Sequence, residues 1–372
     1  MITPFFPSKI DYRGNYIYNQ ILEIQKQSGL NIQIIKVVSL FSKESDYNFK
    51  GFKISVFKII DFPFFIFPGL FHFINNKRII LFIKEKGISN IKIIHAHITY
   101  PSSYLTNVIS REVNTKTIVQ HHGIDVLQLK NGRLNILKKI QRKFLIKRSI
   151  KQLNKVDVNI GVSQKVLDEL RLFKGYYSKS EYVMYNGVDT TKFFPMHVKK
   201  DNHFVIGCIA NFFELKDHIS LIKAVEQLFL DGYDVKLKLI GTGPTFSKCY
   251  SYVKNNNLLN IISFEKEQEY DQLNIFYNKI DLFVMPSFYE ALGCVYLEAW
   301  ATNTPFIAIQ GQGIAEPVPK DKKEIFLAEA QNSYSLKNCI ANIIDSKESV
   351  KFNDKYRIEN TVFNFLKLFL SR

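Results

Sequence analysis

The chain has 372 residues, of which 46% are hydrophobic, and a formal net charge of +16. That length exceeds what a single core serves, so two domains of roughly 150 to 200 residues are expected, and the apolar content excludes global disorder. The charge is uneven: residues 1–200 hold 32 Lys/Arg against 13 Asp/Glu, a net of +19, and residues 201–372 hold 18 against 21, a net of −3.

Met1 is followed by Pro4 and Pro7 rather than by a basic and then an apolar run, so no signal peptide is expected and a cytoplasmic protein is. Further along, β-branched runs alternate with helical patterns, which predicts α/β architecture with parallel sheets. In the first half, strands are predicted at 32–38, 92–95, 117–120, 158–161 and 182–184, with helices at 15–27, 69–85, 102–113, 133–153 and 163–172. The uncharged run from Phe62 to Ile74 covers 13 residues and contains Pro63, Pro68 and Gly69. A bilayer span needs about 20. From Val126 to Val156 there are ten basic residues and no acid, with Leu134, Leu137 and Ile140 at helical spacing. An amphipathic basic helix there suits an anionic lipid surface, where each Lys or Arg is worth about 1 kcal/mol; a solvated helix face is the plainer reading. Nucleic acid is not expected, because the aromatics are not interleaved with the charges.

Thr191 to His203 lacks periodicity and contains Pro195, which sets the expected domain boundary. Domains are therefore expected at 1–195 and 203–352. The second half repeats the alternation, with strands at 204–210, 235–240, 260–264, 281–285 and 305–309. Helices are expected at 217–230, 245–254, 270–277 and 293–301, and a last helix within 353–372. In a doubly wound sheet, ligands bind beyond the carboxyl ends of the strands.

The chemistry-bearing residues fall there. Asp281 to Trp300 reads as a buried strand, a turn exposing Glu290, Gly293 where the backbone can approach a ligand, and a helix carrying Glu298. The free N–H groups at that helix start suit a diphosphate, and Glu298 can accept hydrogen bonds from a ribose diol. Lys216, at the turn after the strand at 204–210, can neutralise a leaving diphosphate. Gly241-Thr242-Gly243-Pro244 marks another such turn but is not a full dinucleotide fingerprint. His95, His97, His121 and His122 end two strands of the first half; no acid or cysteine at ligand spacing completes a metal set, so no metal is expected. The four cysteines, Cys208, Cys249, Cys294 and Cys339, read as small buried hydrophobes.

The chain resembles the family-four retaining glycosyltransferases of the GT-B fold. The resemblance rests on five ordered elements: His122-Gly123-Ile124-Asp125, Asn186-Gly187-Val188-Asp189, Leu239 to Pro244, the pair Glu290 and Glu298, and Glu316. It implies two Rossmann-like doubly wound domains facing a central cleft, with a final helix, 353–372, packing back on the first domain. It also implies transfer from a nucleoside diphosphate sugar to a glycan or lipid-linked acceptor with retention of configuration, no cofactor or metal, and polysaccharide synthesis at the cytoplasmic face of a membrane. By position it assigns Lys216 to the donor diphosphate, Glu298 to the ribose, Glu290 to the donor sugar and His122 to the sugar near the reacting carbon. Lys266 and Glu267 would meet the base, Gly14 the phosphates, and Asn211, Gly241, Leu292 and Gly293 would complete the donor site. This chain departs from the family at Asn211, where many members have arginine, at Ala291-Leu292, and at Gln312-Gly313 in place of Gly-Gly. Two alternatives stand beside this reading: a nucleotide-sugar epimerase of the same fold and a basic nucleic-acid-binding module.

Overall fold

A computed structural model describes residues 1–9, 13–61, 69–123, 125–126 and 136–369, and of residues 136–141 only the backbone. The aromatic run 62–68, the basic segment 127–135 and Ile124 lie outside the described residues. The chain divides into two compact units, Met1–Tyr185 with Val362–Arg372, and Asn186–Thr361.

The first unit is an eight-stranded sheet. Its strands are β1 (Ile2–Thr3), β2 (Ile34–Ser39), β3 (Tyr47–Phe49), β4 (Phe52–Ile59), β5 (Ile93–His97), β6 (Lys116–His121), β7 (Val158–Gly161) and β8 (Glu181–Val183), in the order β3-β4-β2-β1-β5-β6-β7-β8. Two-residue β1 pairs in parallel with both β2 and β5. The parallel expectation fails at one edge: β3 and β4 form an antiparallel hairpin across Lys50 (φ 43°) and Gly51 (φ 88°), the two left-handed residues of a type I′ turn. The hairpin lays Phe49 and Phe52 against Phe6 and Tyr18, with edge-on ring distances of 5.3 to 6.4 Å. Offset, edge-on aromatic packing of this kind strengthens a core beyond its area alone. The helices are α1 (Asn15–Ser28), α2 (His72–Glu85), α3 (Ser102–Val113), α4 (Ile136–Leu153) and α5 (Gln164–Arg171). Glycine stops α1: Gly29 takes φ 65° and donates to the Gln25 carbonyl.

The second unit is a six-stranded, wholly parallel sheet. It contains β9 (Phe204–Ile209), α6 (His218–Leu230), β10 (Val235–Ile240), α7 (Phe246–Asn255), β11 (Ile262–Glu265), α8 (Leu273–Lys279), β12 (Leu282–Val284), α9 (Cys294–Ala301), β13 (Phe306–Ile309), α10 (Lys323–Phe326), β14 (Leu327–Ala328) and α11 (Ser333–Ser346). Strand order is β11-β10-β9-β12-β13-β14, so the winding reverses between β9 and β12. Gly207 lets the sheet and a helix approach there, since a Cβ would lie 2.6 Å from the Ile280 side chain.

The boundary expected at 191–203 sits earlier, at Tyr185/Asn186. Residues 186–195 join the second unit because their backbone is tied to it: Val188 donates to the Tyr356 carbonyl at 2.9 Å, and Phe194 donates to Asn274 Oδ1 at 3.0 Å. The last helix, α12, runs only over Ile358–Phe369, after a 3-10 turn at Asp354–Tyr356, and the divide falls inside it. In the first unit its Phe365 stacks on His95 at 5.4 Å and its Phe369 meets Tyr182 edge-on at 5.8 Å.

Candidate functional site

The reversal of winding in the second unit brings the loop after β9 beside the loop after β12. Lys216 ends a 3-10 turn in the first of these and forms an ion pair with Glu290 in the second, both side chains being largely shielded from solvent. The loops are fastened by Phe288 N–H and Ser287 Oγ, which both donate to the Leu215 carbonyl, at 3.0 and 3.1 Å. Glu290 is held from behind by Gln312. Its N–H donates to Gln312 Oε1 at 2.8 Å, Gln312 Nε2 donates to the Phe288 carbonyl at 3.0 Å, and Gly313 N–H donates to the Glu290 carbonyl at 3.1 Å. The departure at Gln312-Gly313 thus has a local structural job that sequence reasoning missed.

Gly293 caps α9 with φ 78°, and a Cβ there would lie 2.7 Å from the Tyr296 ring and 3.0 Å from Glu290 Cγ. Gly241 and Gly243 are equally constrained. A Cβ on Gly241 would meet the Ala210 carbonyl oxygen at 2.1 Å, and one on Gly243 would meet Phe212 backbone atoms at 2.7 to 2.9 Å. The loop after β10 therefore lies directly on the loop that leads to Lys216, and Phe212 N–H donates to the Thr242 carbonyl at 2.8 Å.

The other expected residues are distributed around this centre. Asn211, Lys266 and Glu267 are exposed, and Thr242 Oγ1 donates to Glu267 Oε1 at 2.7 Å, linking two adjacent strand-end loops. Leu292 differs from expectation: its side chain is 1% exposed and belongs to the core, which leaves only its backbone for a ligand. Glu298 also differs, being buried with its two carboxylate oxygens accepting from Tyr277 at 2.9 Å and Tyr270 at 3.3 Å. Burial pushes its carboxyl up to about 7, and the tyrosine hydroxyls pull it down only in part. The two tyrosines lie seven residues apart, a spacing that returns to one helix face, and that was the available signal for them.

In the first unit the histidines form one cluster at the ends of β5 and β6. His97 Nδ1 and His122 Nε2 are 2.9 Å apart, His121 Nδ1 meets Asp125 Oδ2 at 2.8 Å, and His121 Nε2 meets Asn159 Oδ1 at 3.2 Å. Thr99 adds two hydrogen bonds to Asp125, from N–H at 3.1 Å and Oγ1 at 2.7 Å. The preceding Ile98 is forced to φ 72°, a strained value for a β-branched residue. Burial lowers His122 to about 4, an effect only partly opposed by the Asp125 charge, and it holds His97 well below the ordinary histidine value. His122 is therefore a neutral imidazole at pH 7, with Tyr16 packed on it at 4.7 Å and its Nδ1 without a hydrogen-bond partner among the described residues. Among the described residues no group of three or more His, Cys, Asp or Glu is arranged to hold a metal. Gly14, φ 90°, caps α1 with its Cβ position 2.8 Å from the Phe5 carbonyl oxygen.

Two parallel-sheet units with an ion pair at a switch point are shared by several enzyme classes. Comparison with known families decides between them: residues 15–192 match Glycosyltransferase Family 4 and residues 189–359 match Glycosyl transferases group 1. The chain belongs to the group 1 glycosyltransferases of the GT-B fold. An uncharacterized glycosyltransferase of Methanocaldococcus jannaschii is 27% identical over 311 residues, 82% of this chain and 81% of that protein. The capsular polysaccharide biosynthesis glycosyltransferase CapM of Staphylococcus aureus is 26% identical over 171 residues, 44% of this glycosyltransferase and 43% of its relative. HepE of Anabaena, solved in complex with UDP, shares the fold with a TM-score of 0.67 at 16% identity, over 100% of this chain and 95% of that one. These matches do not favour an epimerase or a nucleic-acid-binding module. No described helix of this glycosyltransferase is long and apolar enough to cross a membrane.

Proposed function

We propose that this glycosyltransferase moves a sugar from a nucleoside diphosphate sugar to a glycan or lipid-linked glycan acceptor, with retention of anomeric configuration, in the synthesis of a surface polysaccharide. The observation that carries the reading is the Lys216–Glu290 ion pair at the switch point, beside the helix start capped by Gly293. A bound diphosphate competes with Glu290 for Lys216, because a polyanion draws an ammonium more strongly than one carboxylate does. Lys216 and the N–H groups of α9 then offset charge on the departing diphosphate, and Glu290, released, accepts hydrogen bonds from the donor sugar. Glu298 takes the ribose diol, and the loops at Gly241, Asn211, Lys266 and Glu267 border the nucleotide. His122 hydrogen-bonds the sugar as a neutral imidazole, and the leaving phosphate takes the acceptor proton. The reaction calls on no metal or cofactor. Peripheral attachment to the anionic inner face of the cytoplasmic membrane, through the basic first half, belongs to the same reading and agrees with the surplus of +19 over residues 1–200. The name of CapM supports the polysaccharide context, and the UDP held by HepE puts uridine diphosphate sugars first among donors.

Thermal melting against a panel of nucleoside diphosphate sugars tests the donor half of the reading without the acceptor. Binding raises stability by mass action, about 2.7 kcal/mol at a hundredfold excess over Kd. One class of donor is expected to raise the melting temperature and the rest to leave it unchanged; no shift with any of them would contradict the proposal.

A further inference from the structure

In the first unit, α2, α3 and α4 border a cavity of about 440 Å3. Its floor is polar and internally bonded. Tyr104 donates to the His72 carbonyl at 2.8 Å and also to Asn76, the His72 ring stacks on Tyr104 at 3.9 Å, and Asn107 Nδ2 donates to the Gln152 carbonyl at 2.9 Å and side chain at 3.0 Å. The walls carry Arg111, Lys147, Arg148, Lys151 and Lys155, and no Asp or Glu lines the cavity. Arg148 is fixed by the Gly69 carbonyl at 2.8 Å and His72 Nδ1 at 3.3 Å. Among the described residues, the side chains of Arg111, Lys147, Lys151 and Lys155 make no hydrogen bond or ion pair.

Arg148 faces the Asp61 carboxylate, and the other four cations, with no acid lining the cavity, focus positive potential on one groove. Lys155 registers that field: burial and then the Arg111 and Lys151 charges pull it below the ordinary lysine value. A soluble anion would need only this charge. Phe144 lines the cavity and is 39% exposed, and Leu70 and Phe73, next to the cavity residue His72 in sequence, are 49% and 69% exposed. Large apolar side chains beside clustered cations match a bilayer boundary, where the rings enter the acyl edge and the cations meet phosphates.

We propose that this groove holds the phosphate of an anionic lipid head group, with Phe144, Phe73 and Leu70 resting at the acyl boundary. The proposal rests on the membrane attachment included in the reading above and gives it a specific site.

Co-sedimentation with vesicles of phosphatidic acid in phosphatidylcholine, against phosphatidylcholine alone, tests it on the full chain. The variant K147Q/K151Q/K155Q removes three groove charges, and K236Q/K248Q/K254Q removes three from the second unit as a control. At about 1 kcal/mol per charge and 1.4 kcal/mol per tenfold, the groove variant is expected to lose roughly a hundredfold in partitioning while the control stays within about threefold. Circular dichroism and donor-induced thermal shift are expected to match wild type in both variants. Equal losses in the two variants, or none in the groove variant, would overturn the groove and leave donor binding intact. Absence of wild-type binding to anionic vesicles would overturn the groove and the membrane attachment together, again without touching the donor reading. Stabilisation by inorganic pyrophosphate that is abolished in the groove variant, without vesicle binding, would mark a soluble-anion site and overturn the lipid assignment.

Discussion

At Glu298, one side chain's surroundings change its acid–base chemistry. An unburied glutamate titrates near 4.5, and burial against Tyr270 and Tyr277 lifts this one to about 7. The native state therefore binds more protons than the unfolded chain between those values, so the stability linked to this group is fully present below about 4.5 and is lost as pH rises towards about 7. A shift of that size corresponds to about 3 kcal/mol at order of magnitude. Glu298→Gln keeps an acceptor for the tyrosine hydroxyls and removes the titration. Denaturant unfolding at pH 5 and pH 8 is expected to show wild type less stable at the higher pH and the variant with a flatter profile; parallel profiles would contradict the burial argument. A ligand diol donating to the carboxylate favours the charged form, so donor binding and proton release are expected to go together. The spacing of Glu290 and Glu298 was readable from sequence and Lys216 from its place after a strand, but their pairing was not. Which loops meet depends on strand order, and strand order is not a local property. Gln312 stood out only as a departure from the family's Gly-Gly, and its job did not, because a glutamine that braces a loop looks like any loop glutamine.

The strand–turn–helix elements carry the site by letting backbones touch. Gly241 and Gly51 both have positive φ, 145° and 88°, but only Gly241 is crowded: its Cβ position is 2.1 Å from the Ala210 carbonyl oxygen, whereas that of Gly51 has nothing within 4 Å. Gly51→Ala is expected to cost about 1 kcal/mol, the conformational penalty alone. Gly241→Ala must also move a backbone and is expected to cost about 3 kcal/mol or more and to weaken donor-induced stabilisation. Urea unfolding of the two variants checks the order, and a Gly51 variant as damaged as the Gly241 variant would refute it. The elements themselves were largely legible. The apolar periodicity of residues 102–113 and 235–240 maps directly onto α3 and β10. The β3–β4 hairpin was not, because Lys50-Gly51 is a weak turn signal beside Asn-Gly and its second strand, Phe52–Ile59, reads as a mixed pattern: burial alternates only at its start, where Lys53 is the exposed position, and then runs continuously through 54–57. The helix α11, Ser333–Ser346, was also missed; its Asn332 cap accepts from the N–H groups of Tyr334 and Ser335.

Across the whole molecule, charge and chemistry are divided between the units. The first holds the histidine cluster and the basic groove, and the second holds the ion pair, the constrained glycines and the buried glutamate. The domain divide lay earlier than sequence suggested because a polar stretch with proline looks like a linker whether or not its backbone is bonded to a neighbour. Asn186 to Phe194 are bonded into the second unit through Tyr356 and Asn274. The central claim is that the second unit carries the donor site around Lys216, Glu290 and Glu298. Steady-state sugar transfer by Lys216→Ala, Glu290→Ala and Glu298→Ala, using the donor class picked out by thermal melting, tests it most directly. Each variant is expected to lose about 10²- to 10³-fold in kcat/KM with its fold retained; turnover within about twofold of wild type in all three would contradict the account.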